Sequence, residues 1–190
     1  MINIVTLDND RSKTCCFTGH RPEKLFPGAS LQSVPVRRLL SIIALHINTA
    51  LEMGCDTFIS GMARGIDIWA ANLVIDMRRR RPNIKLICAV PFPGYADPFL
   101  GIDKWHYNTI IEQADKTLYT AEHYSRGSMS IRNRFMVDNS SRLIGVVDDM
   151  QSGTGQTIRY ARRQGLDCDI IWLKDAAPML FAGSDELLRR

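Results

Sequence analysis

Ser60-Gly61-Met62-Ala63-Arg64-Gly65-Ile66-Asp67 decides the fold, because it joins the run Thr57-Phe58-Ile59 to an apolar-periodic segment that begins at Ile66. This succession predicts a strand, a glycine-containing turn and the start of a helix. Backbone N–H groups at a helix N-terminus lack intrahelical acceptors, and glycines let a phosphate or another backbone approach closely. The stretch therefore predicts an anion-binding turn. Asp67, in the first helical turn, is expected to cap N–H groups or to accept a ribose hydroxyl.

A second glycine-containing turn lies nearer the end of the chain. Ser152-Gly153-Thr154-Gly155-Gln156-Thr157 follows the apolar run Leu143–Val147 and precedes another helical pattern. Its amides and hydroxyls are suited to a phosphate or a carboxylate. Two such turns in one chain indicate a nucleotide ligand.

Strand-like and helical patterns alternate along the chain. Most of the strand patterns are continuously apolar, which is typical of parallel strands covered on both faces. We therefore predict an α/β fold with a doubly wound, mainly parallel sheet flanked by helices and joined by right-handed crossovers. The predicted strands are residues 14–18, 57–60, 85–90, 116–119, 142–147 and 169–173, and the predicted helices are residues 34–53, 66–80, 104–114, 129–139 and 154–164.

Length and composition bound the class of protein. The 190 residues are 45% hydrophobic and 23% charged, so one domain with one good core is expected. The net charge of +4 slightly favours phosphate-bearing ligands and is too small to indicate nucleic-acid binding. Residues 1–190 are expected to form a single domain with its core at about residues 13–174, followed by a tail or short helix at residues 175–190.

The sequence gives no sign of a targeting segment, a membrane span or a metal site. No apolar run approaches roughly 18 uninterrupted residues, and the start of the chain, with Asp8 and Asp10, lacks the regions of a signal peptide. A cytoplasmic location without a membrane partner is therefore expected. The five cysteines show no C-x-x-C spacing, so we interpret them as core residues and predict no metal.

The first predicted strand ends in Thr18-Gly19-His20-Arg21. Ligands of open α/β sheets bind outside the carboxyl ends of strands, which places this tetrapeptide at a pocket. Arg21 is suited to a phosphate and His20 to hydrogen bonding or proton transfer, although a turn with a surface histidine is the simpler interpretation. Two long connections, residues 19–32 and 91–103, also follow strand ends and are expected to form pocket walls.

A third segment, Ser128–Asn139, precedes the fifth predicted strand. Its apolar side chains are expected to pack on the sheet, while Arg132 and Asn133 reach the rim of the pocket. Two standard nucleotide-binding fingerprints are absent from the sequence. No G-x-G-x-x-G follows the first strand, and no Gly-Lys-Ser or Gly-Lys-Thr occurs.

The stretch from Ser60 to Asp67 resembles the glycine-rich motif of the SLOG superfamily, which includes the DNA-processing protein DprA (Smf) and the Lonely Guy phosphoribohydrolases. Thr18–Arg21, residues 132–138 and Ser152–Thr154 are more similar to the YpsA branch of that superfamily, a domain of unknown function. The resemblance spans about residues 13–174 and implies a Rossmann-like fold whose glycine motifs bind a nucleotide or nucleotide-derived ligand. The expected ligand-binding residues are Thr18, Gly19, His20, Arg21, Ser60, Gly61, Ala63, Arg64, Gly65, Asp67, Arg132, Asn133, Ser152, Gly153, Thr154 and Thr157.

The same resemblance tests whether the chain is a Lonely Guy hydrolase. Those enzymes carry Met-x-x-Arg-Lys-x-x-Met and Pro-Gly-Gly-x-Gly-Thr-x-x-Glu, and the arginine and the glutamate cleave an N-glycosidic bond. Met129, Arg132 and Met136 match the first pattern, with Asn133 in place of lysine. The glutamate position falls on Thr157, which has no carboxylate to stabilise an oxocarbenium-like centre or to activate water.

Our leading hypothesis is therefore a nucleotide-binding sensor or regulatory protein that requires no cofactor. Its ligand is expected to be ADP-ribose, NAD or a nucleoside monophosphate, and a homo-oligomer is possible. The first alternative is a hydrolase of a nucleoside phosphate or ADP-ribose derivative. It would use His20 as proton shuttle and an acid among Asp148, Asp149 and Glu122.

The second alternative is single-stranded DNA binding, as in DprA. Its sequence support consists of Arg64, Arg126, the run Arg78–Arg81 and the aromatic residues Tyr95, Trp105 and Tyr124. The weak net charge makes a nucleic-acid partner unlikely. Phe92, Tyr95, Trp105 and Tyr124 are alternatively expected to cover a purine ring.

Overall fold

A six-stranded parallel sheet forms the centre of the protein, in a computed structural model that describes residues 7–182. All five strand pairs are parallel, in the order β4-β3-β2-β1-β5-β6. The predicted doubly wound α/β fold is therefore confirmed. The strands are β1 (Thr14–Gly19), β2 (Thr57–Ser60), β3 (Lys85–Val90), β4 (Lys116–Tyr119), β5 (Arg142–Val147) and β6 (Asp167–Trp172).

Helices cover both faces of this sheet. In the described residues they are α1 (Pro22–Leu25), α2 (Val34–Glu52), α3 (Ile66–Arg78), α4 (Gly101–Gln113), α5 (Ser128–Asp138), α6 (Gly153–Arg163) and α7 (Leu173–Leu180). One core contains buried residues of α2, α3, α4 and α7, and a second core on the other face contains those of α5 and α6. The sheet is therefore covered on both sides, which is why its central strands are mostly apolar.

The order of the strands reverses between β1 and β5. From β1 the chain builds the sheet outward through β2, β3 and β4, and it then crosses back to place β5 and β6 on the other side of β1. Gly19 pairs with Val146, so the loops after β1 and β5 leave the same edge of the sheet side by side. In open α/β sheets such a switch point forms the ligand-binding crevice.

Helix α2 is long and apolar enough to cross a membrane, judged by length and composition alone. Polar residues such as Arg37 and His46 lie within α2, so the helix is not an uninterrupted apolar run. Leu39, Ile43 and Ile47 on one face of α2 are fully buried in the core on the sheet. The structure thus uses α2 as a packed helix of the α/β fold.

The element ends differ from the predictions by a few residues. Helix α4 begins at Gly101 rather than Lys104, and β6 begins at Asp167 rather than Asp169. The short helix α1 lies within the predicted loop 19–32, where Pro22 takes the first helical position. Of the predicted tail or short helix at 175–190, α7 occupies residues up to Leu180, and residues 183–190 lie outside the described part of the chain.

The cysteines are free thiols, as their spacing predicts. Four of them are buried, and Cys168 is half-buried. Burial raises the pKa of the Cys16 and Cys88 thiols to about 12. Such thiols stay protonated and pack as small apolar side chains.

Candidate functional site

A cleft of about 480 Å³ lies at the switch point, beside the carboxyl ends of β1 and β5. Its volume falls in the range typical of small-molecule sites. The loop after β1, the turn after β2, α5 and the start of α6 all contribute to its walls. The lining residues are Thr18, Gly19, His20, Arg21, Glu23, Lys24, Ala63, Asp67, Tyr95, Met129, Arg132, Asn133, Ser152, Gly153 and Thr154.

Arg132 from α5 and Asp67 from α3 form a buried ion pair in one wall of this cleft. Their Nη1 and Oδ2 atoms are 3.1 Å apart, and the side chains are 6% and 5% exposed. The same Nη1 donates to the carbonyl oxygen of Gly61. Burial raises the pKa of Asp67, and the nearby Arg132 charge opposes that effect. Among residues 7–182, the buried Nε of Arg132 has no hydrogen-bond partner, which leaves it a donor for a ligand.

Three internal hydrogen bonds hold the turn from Ser60 to Asp67. Ser60 Oγ donates to the carbonyl of Asp67 (2.9 Å) and accepts from the N–H of Met62 (3.2 Å). The Asp67 carboxylate accepts from the N–H of Ala63 (3.4 Å), so it holds the loop before α3 rather than capping the helix. Only Ala63 and Asp67 of this turn line the cleft.

Two glycines of this turn are required by close packing within the chain. A Cβ at Gly61 would collide with the guanidinium of Arg132. Gly65 has a φ of 89°, and a Cβ there would lie 2.6 Å from the carbonyl oxygen of His20. Met62 has a φ of 59°, an uncommon conformation for a residue with a side chain. The turn is therefore a tightly fitted wall, and packing within the chain is sufficient to require both glycines.

His20 connects the loop after β1 to the loop and helix after β5. Its Nε2 accepts from the N–H of Asp148 (3.1 Å), and its Nδ1 lies 3.4 Å from Oγ1 of Thr154. A backbone N–H only donates, so the neutral ring carries its proton on Nδ1, which donates to Thr154. Burial, followed by repulsion from Lys24, lowers the pKa of His20 below its ordinary value of 6.5. The ring is therefore neutral at pH 7, and both of its nitrogens are engaged.

The start of α6 presents unpaired backbone N–H groups to the cleft. Ser152 is the N-cap, and its Oγ accepts from the N–H of Gly155 (3.1 Å). In the described part of the chain, the N–H groups of Gly153 and Thr154 have no acceptor. A Cβ at Gly153 would meet no atom within 4 Å, so space lies in front of this helix end. Free N–H groups and the positive end of the helix dipole together favour a phosphate or carboxylate here.

The charges around the cleft leave cations available. Arg21 and Lys24 line it from the loop after β1, and neither forms an ion pair within residues 7–182. The neighbouring carboxylate of Glu23 pairs with Arg64 at 2.7 Å. Arg64 also pairs with Asp103 at 2.6 Å, so it braces α1 against α4. The remaining free charges on this rim are therefore positive and suit an anionic ligand.

The structure brings most of the predicted ligand-binding residues together, and it places some of them elsewhere. The exceptions are Ser60, Gly61 and Gly65, which are buried in the turn, and Arg64, which braces two helices. Thr157 lies behind the cleft, where its Oγ1 accepts from Asn133 Nδ2 at 2.9 Å. The candidate acid Asp148 has an exposed side chain and contributes only its backbone N–H, to His20.

Three lining residues were not predicted from the sequence as ligand contacts. Glu23 and Lys24 lie on the short helix α1, which the sequence does not distinguish from a loop. Met129, on the first turn of α5, is noticed in the sequence only as part of a motif. Its three-residue spacing from Arg132 is the signal that could have identified it, since residues at i and i+3 share a helix face.

Of the four aromatic residues expected to cover a base, only Tyr95 lines the cleft. Tyr95 packs edge-to-face on Phe92 and Phe99, with ring centroids 5.7 Å and 5.5 Å away. Tyr124 packs on Phe92, and Trp105 lines a different cavity between α3 and α4. Aromatic packing therefore fixes Tyr95 in place, and the other three rings do not face the cleft.

Comparison with protein families gives one match that covers most of the chain. The model of the YpsA family, described as the YspA SLOG family, matches residues 15–173. A UPF0398 protein of Staphylococcus epidermidis is 26% identical over 140 residues, which are 70% of this chain and 74% of that protein. A UPF0398 protein of Bacillus cereus is 25% identical over 157 residues, covering 80% of this chain and 84% of the relative.

Solved structures of DprA share the fold. The chain is similar to DprA of Streptococcus pneumoniae with a TM-score of 0.59 and 20% identity, over 94% of this chain. It spans 56% of that longer protein. A structure described as showing the single-stranded DNA binding mode of DprA from Helicobacter pylori gives a TM-score of 0.54 and 17% identity, over 82% of this chain and 64% of the other. At these identities the likeness establishes the fold alone.

Proposed function

This chain belongs to the YpsA family of SLOG proteins, and we propose that it binds a nucleotide or nucleotide-derived ligand in the cleft between β1 and β5. The phosphate lies on the free N–H groups of Gly153 and Thr154. The protein acts as a sensor or regulatory binding protein, and the ligand is a nucleotide derivative such as a nucleoside monophosphate, ADP-ribose or NAD.

The open start of α6 is the observation that carries this proposal. Its amides lack acceptors among residues 7–182 and face a cleft about 480 Å³ in volume. The same cleft is lined by Arg132, whose Nε is buried without a partner in the described chain. Arg21 and Lys24 add positive charge at the rim. Donors that converge on one space and lack protein acceptors support an anionic ligand.

Isothermal titration with AMP, ADP-ribose and NAD tests the proposal, with adenosine as the control that lacks phosphate. We expect at least one of the three nucleotides to bind in the micromolar range and adenosine to bind far more weakly. A charge-assisted hydrogen bond contributes about 1.5–3 kcal/mol, so two or more to the phosphate change affinity by roughly a hundredfold or more. Dissociation constants no tighter than millimolar for all three nucleotides would contradict the proposal.

The geometry gives less support to a hydrolase. His20 uses both ring nitrogens in hydrogen bonds to the protein, so it has none free to shuttle a proton. The candidate acids Asp148, Asp149 and Glu122 have exposed side chains and do not line the cleft. A general acid must reach the proton it transfers within hydrogen-bond distance. Chromatography of AMP and ADP-ribose after incubation with the protein is expected to show no turnover above a His20→Ala control.

Single-stranded DNA binding is supported by the fold shared with a DprA structure that is described as showing such binding. Among the residues that suggested it in the sequence, Arg126 forms no ion pair within residues 7–182, and Trp105 and Tyr124 are exposed. Others are paired or buried. Arg64 pairs with Glu23 and Asp103, Arg78 pairs with Asp115 at 2.5 Å, and Tyr95 is buried. In a gel-shift at low salt we expect affinity for an oligonucleotide not to increase with its length, whereas a single-stranded DNA site would bind longer strands more tightly.

A further inference from the structure

A second cavity of about 410 Å³ lies between α5 and α6, next to the nucleotide cleft. The two cavities share Met129, Asn133 and Gly153 in their walls. Asn133 Nδ2 donates to Thr157 Oγ1, and this hydrogen bond joins the two helices where the cavities meet. A ligand whose phosphate lies at Gly153 therefore has direct access to the second cavity, which we term the α5–α6 groove.

The α5–α6 groove is strongly basic. It is lined by Met129, Ser130, Asn133, Gly153, Gln156, Thr157 and Tyr160 together with four arginines, Arg126, Arg134, Arg159 and Arg163. The lining contains no carboxylate. Within residues 7–182 none of the four arginines forms an ion pair, whereas Arg64, Arg78 and Arg142 elsewhere on the chain do. Arg159 Nη1 donates to the carbonyl oxygen of Met150 and keeps its positive charge. Four guanidinium groups without a carboxylate partner around one cavity favour a multiply charged anion.

Tyr160 holds two of these arginines over its ring. The guanidinium carbons of Arg134 and Arg163 lie 5.5 Å and 5.9 Å from the ring centroid. The Tyr160 hydroxyl donates to the Asp138 carboxylate at 2.8 Å, which fixes the ring. Cation–π attraction then restrains both guanidiniums above a fixed platform. The ring is engaged by arginines, so the groove is suited to phosphate oxygens rather than to a stacked base.

We propose, on the basis of the nucleotide site proposed above, that the ligand carries a second phosphate group and that this phosphate lies in the α5–α6 groove. The ligand class is then a nucleoside bisphosphate or a short phosphodiester-linked dinucleotide. The first phosphate lies on the α6 amides, Asn133 and Gly153 contact the middle of the ligand, and Arg134 and Arg163 bind the second phosphate.

Isothermal titration with three probes tests the second phosphate: AMP, adenosine 3′,5′-bisphosphate and the 5′-phosphorylated dinucleotide pApA. We expect at least one of the two-phosphate probes to bind about tenfold or more tightly than AMP. Tighter binding of the bisphosphate alone identifies a nucleoside bisphosphate, and tighter binding of pApA identifies a dinucleotide. Binding of AMP with no gain for either two-phosphate probe overturns the inference and leaves the nucleotide site intact. Failure of all three to bind overturns the inference, and the nucleotide site itself is overturned when ADP-ribose and NAD also fail to bind.

Arg163→Gln and Arg162→Gln form a matched pair for the same experiment. Both arginines are exposed in the last turn of α6 and interact alike with the helix dipole, but only Arg163 lines the groove. Arg163→Gln is expected to remove most of the difference in affinity between the two-phosphate probe and AMP, and to leave the AMP affinity unchanged. Arg162→Gln is expected to keep that difference. Equal losses in the two variants would show a general effect of net charge and overturn the assignment.

Oligonucleotides of increasing length separate a small ligand from a nucleic-acid strand. We expect affinity to level off at the dinucleotide, because the two adjoining cavities provide two phosphate sites. A steady increase in affinity with each added nucleotide would overturn the assignment of a small ligand and indicate a single-stranded nucleic acid instead.

Discussion

Gly153 occupies the first position of α6, where the absence of a side chain leaves the helix end open to the cleft. Its φ lies outside the positive-φ set of the described glycines, so any L-residue fits the backbone there. A carboxylate at this position would interact favourably with the helix dipole by about 0.3–1 kcal/mol. The same carboxylate would occupy the space assigned to a phosphate.

Gly153→Asp is therefore expected to keep or slightly raise the free energy of unfolding while it lowers nucleotide affinity by about tenfold or more. Gly153→Asn is the matched control, with the same shape and no charge, and is expected to lose less affinity. Titration calorimetry and thermal denaturation of both variants measure the two effects. Equal affinity of the Asp and Asn variants would place the phosphate away from α6.

The ion pair between Asp67 and Arg132 joins the first glycine turn to α5, and its burial predicts a large effect on stability. Asp67→Ala leaves a buried guanidinium without a counter-charge, and we expect a loss of about 3–5 kcal/mol in the free energy of unfolding. The double variant Asp67→Ala/Arg132→Met removes both charges and should be more stable than Asp67→Ala alone. Urea denaturation of these two variants and of Arg132→Met completes the cycle, and losses of the two single variants that simply add up in the double variant would mean that the pair does not couple.

At the scale of elements, hydrogen bonds from Arg38 of α2 hold the end of α7 against α2. Its Nη1 donates to carbonyl oxygens of Met179 and Leu180, both at 3.2 Å, and Ala182, at 2.6 Å. These carbonyls belong to the end of α7, where a cation is favourable.

Arg38→Ala is expected to raise the rate of amide hydrogen exchange in α7 and to lower the free energy of unfolding by about 1 kcal/mol. Arg37→Ala, an exposed neighbour on the same helix, serves as the control. Unchanged exchange in α7, or the same increase in both variants, would show that Arg38 does not hold this helix.

The sequence predicts the strands closely because most of them are continuous apolar runs between recognisable turns. It predicts short helices and tertiary pairings poorly. Helix α1 has only four residues, too few for a periodic pattern. The pairing of Asp67 with Arg132 depends on the packing of α5 against the turn after β2, which no local pattern encodes. For the same reason the sequence locates both glycine turns at the cleft but does not show that Gly61 packs against Arg132 while Gly153 faces open space.

At the scale of the whole molecule, His20 connects the loop after β1 to the residues after β5. Protonation of its ring changes the free energy of unfolding. Because the pKa of His20 is lowered in the folded protein, the unfolded chain binds more protons below pH 6.5. The stability from this contact is present above pH 6.5 and decreases as the pH falls toward the folded pKa. Burial also lowers the pKa of His106, which contributes a dependence of the same sign.

We therefore expect the wild-type free energy of unfolding to fall on acidification below pH 6.5, and His20→Gln to show a shallower fall. Glutamine keeps a group that accepts from the Asp148 N–H and does not titrate. Denaturation curves between about pH 5 and 8 measure the slopes. Identical slopes for the two proteins would mean that His20 does not carry the proton linkage.

The central claim is that a nucleotide binds at the switch point with its phosphate on the start of α6. A crystal structure of the protein in complex with AMP at saturating concentration tests this most directly. We predict a phosphate within hydrogen-bond distance of the Gly153 and Thr154 N–H groups and a nucleoside in the cleft lined by Arg132 and Tyr95. A phosphate bound elsewhere on the chain, or a cleft without nucleotide under those conditions, would contradict the claim.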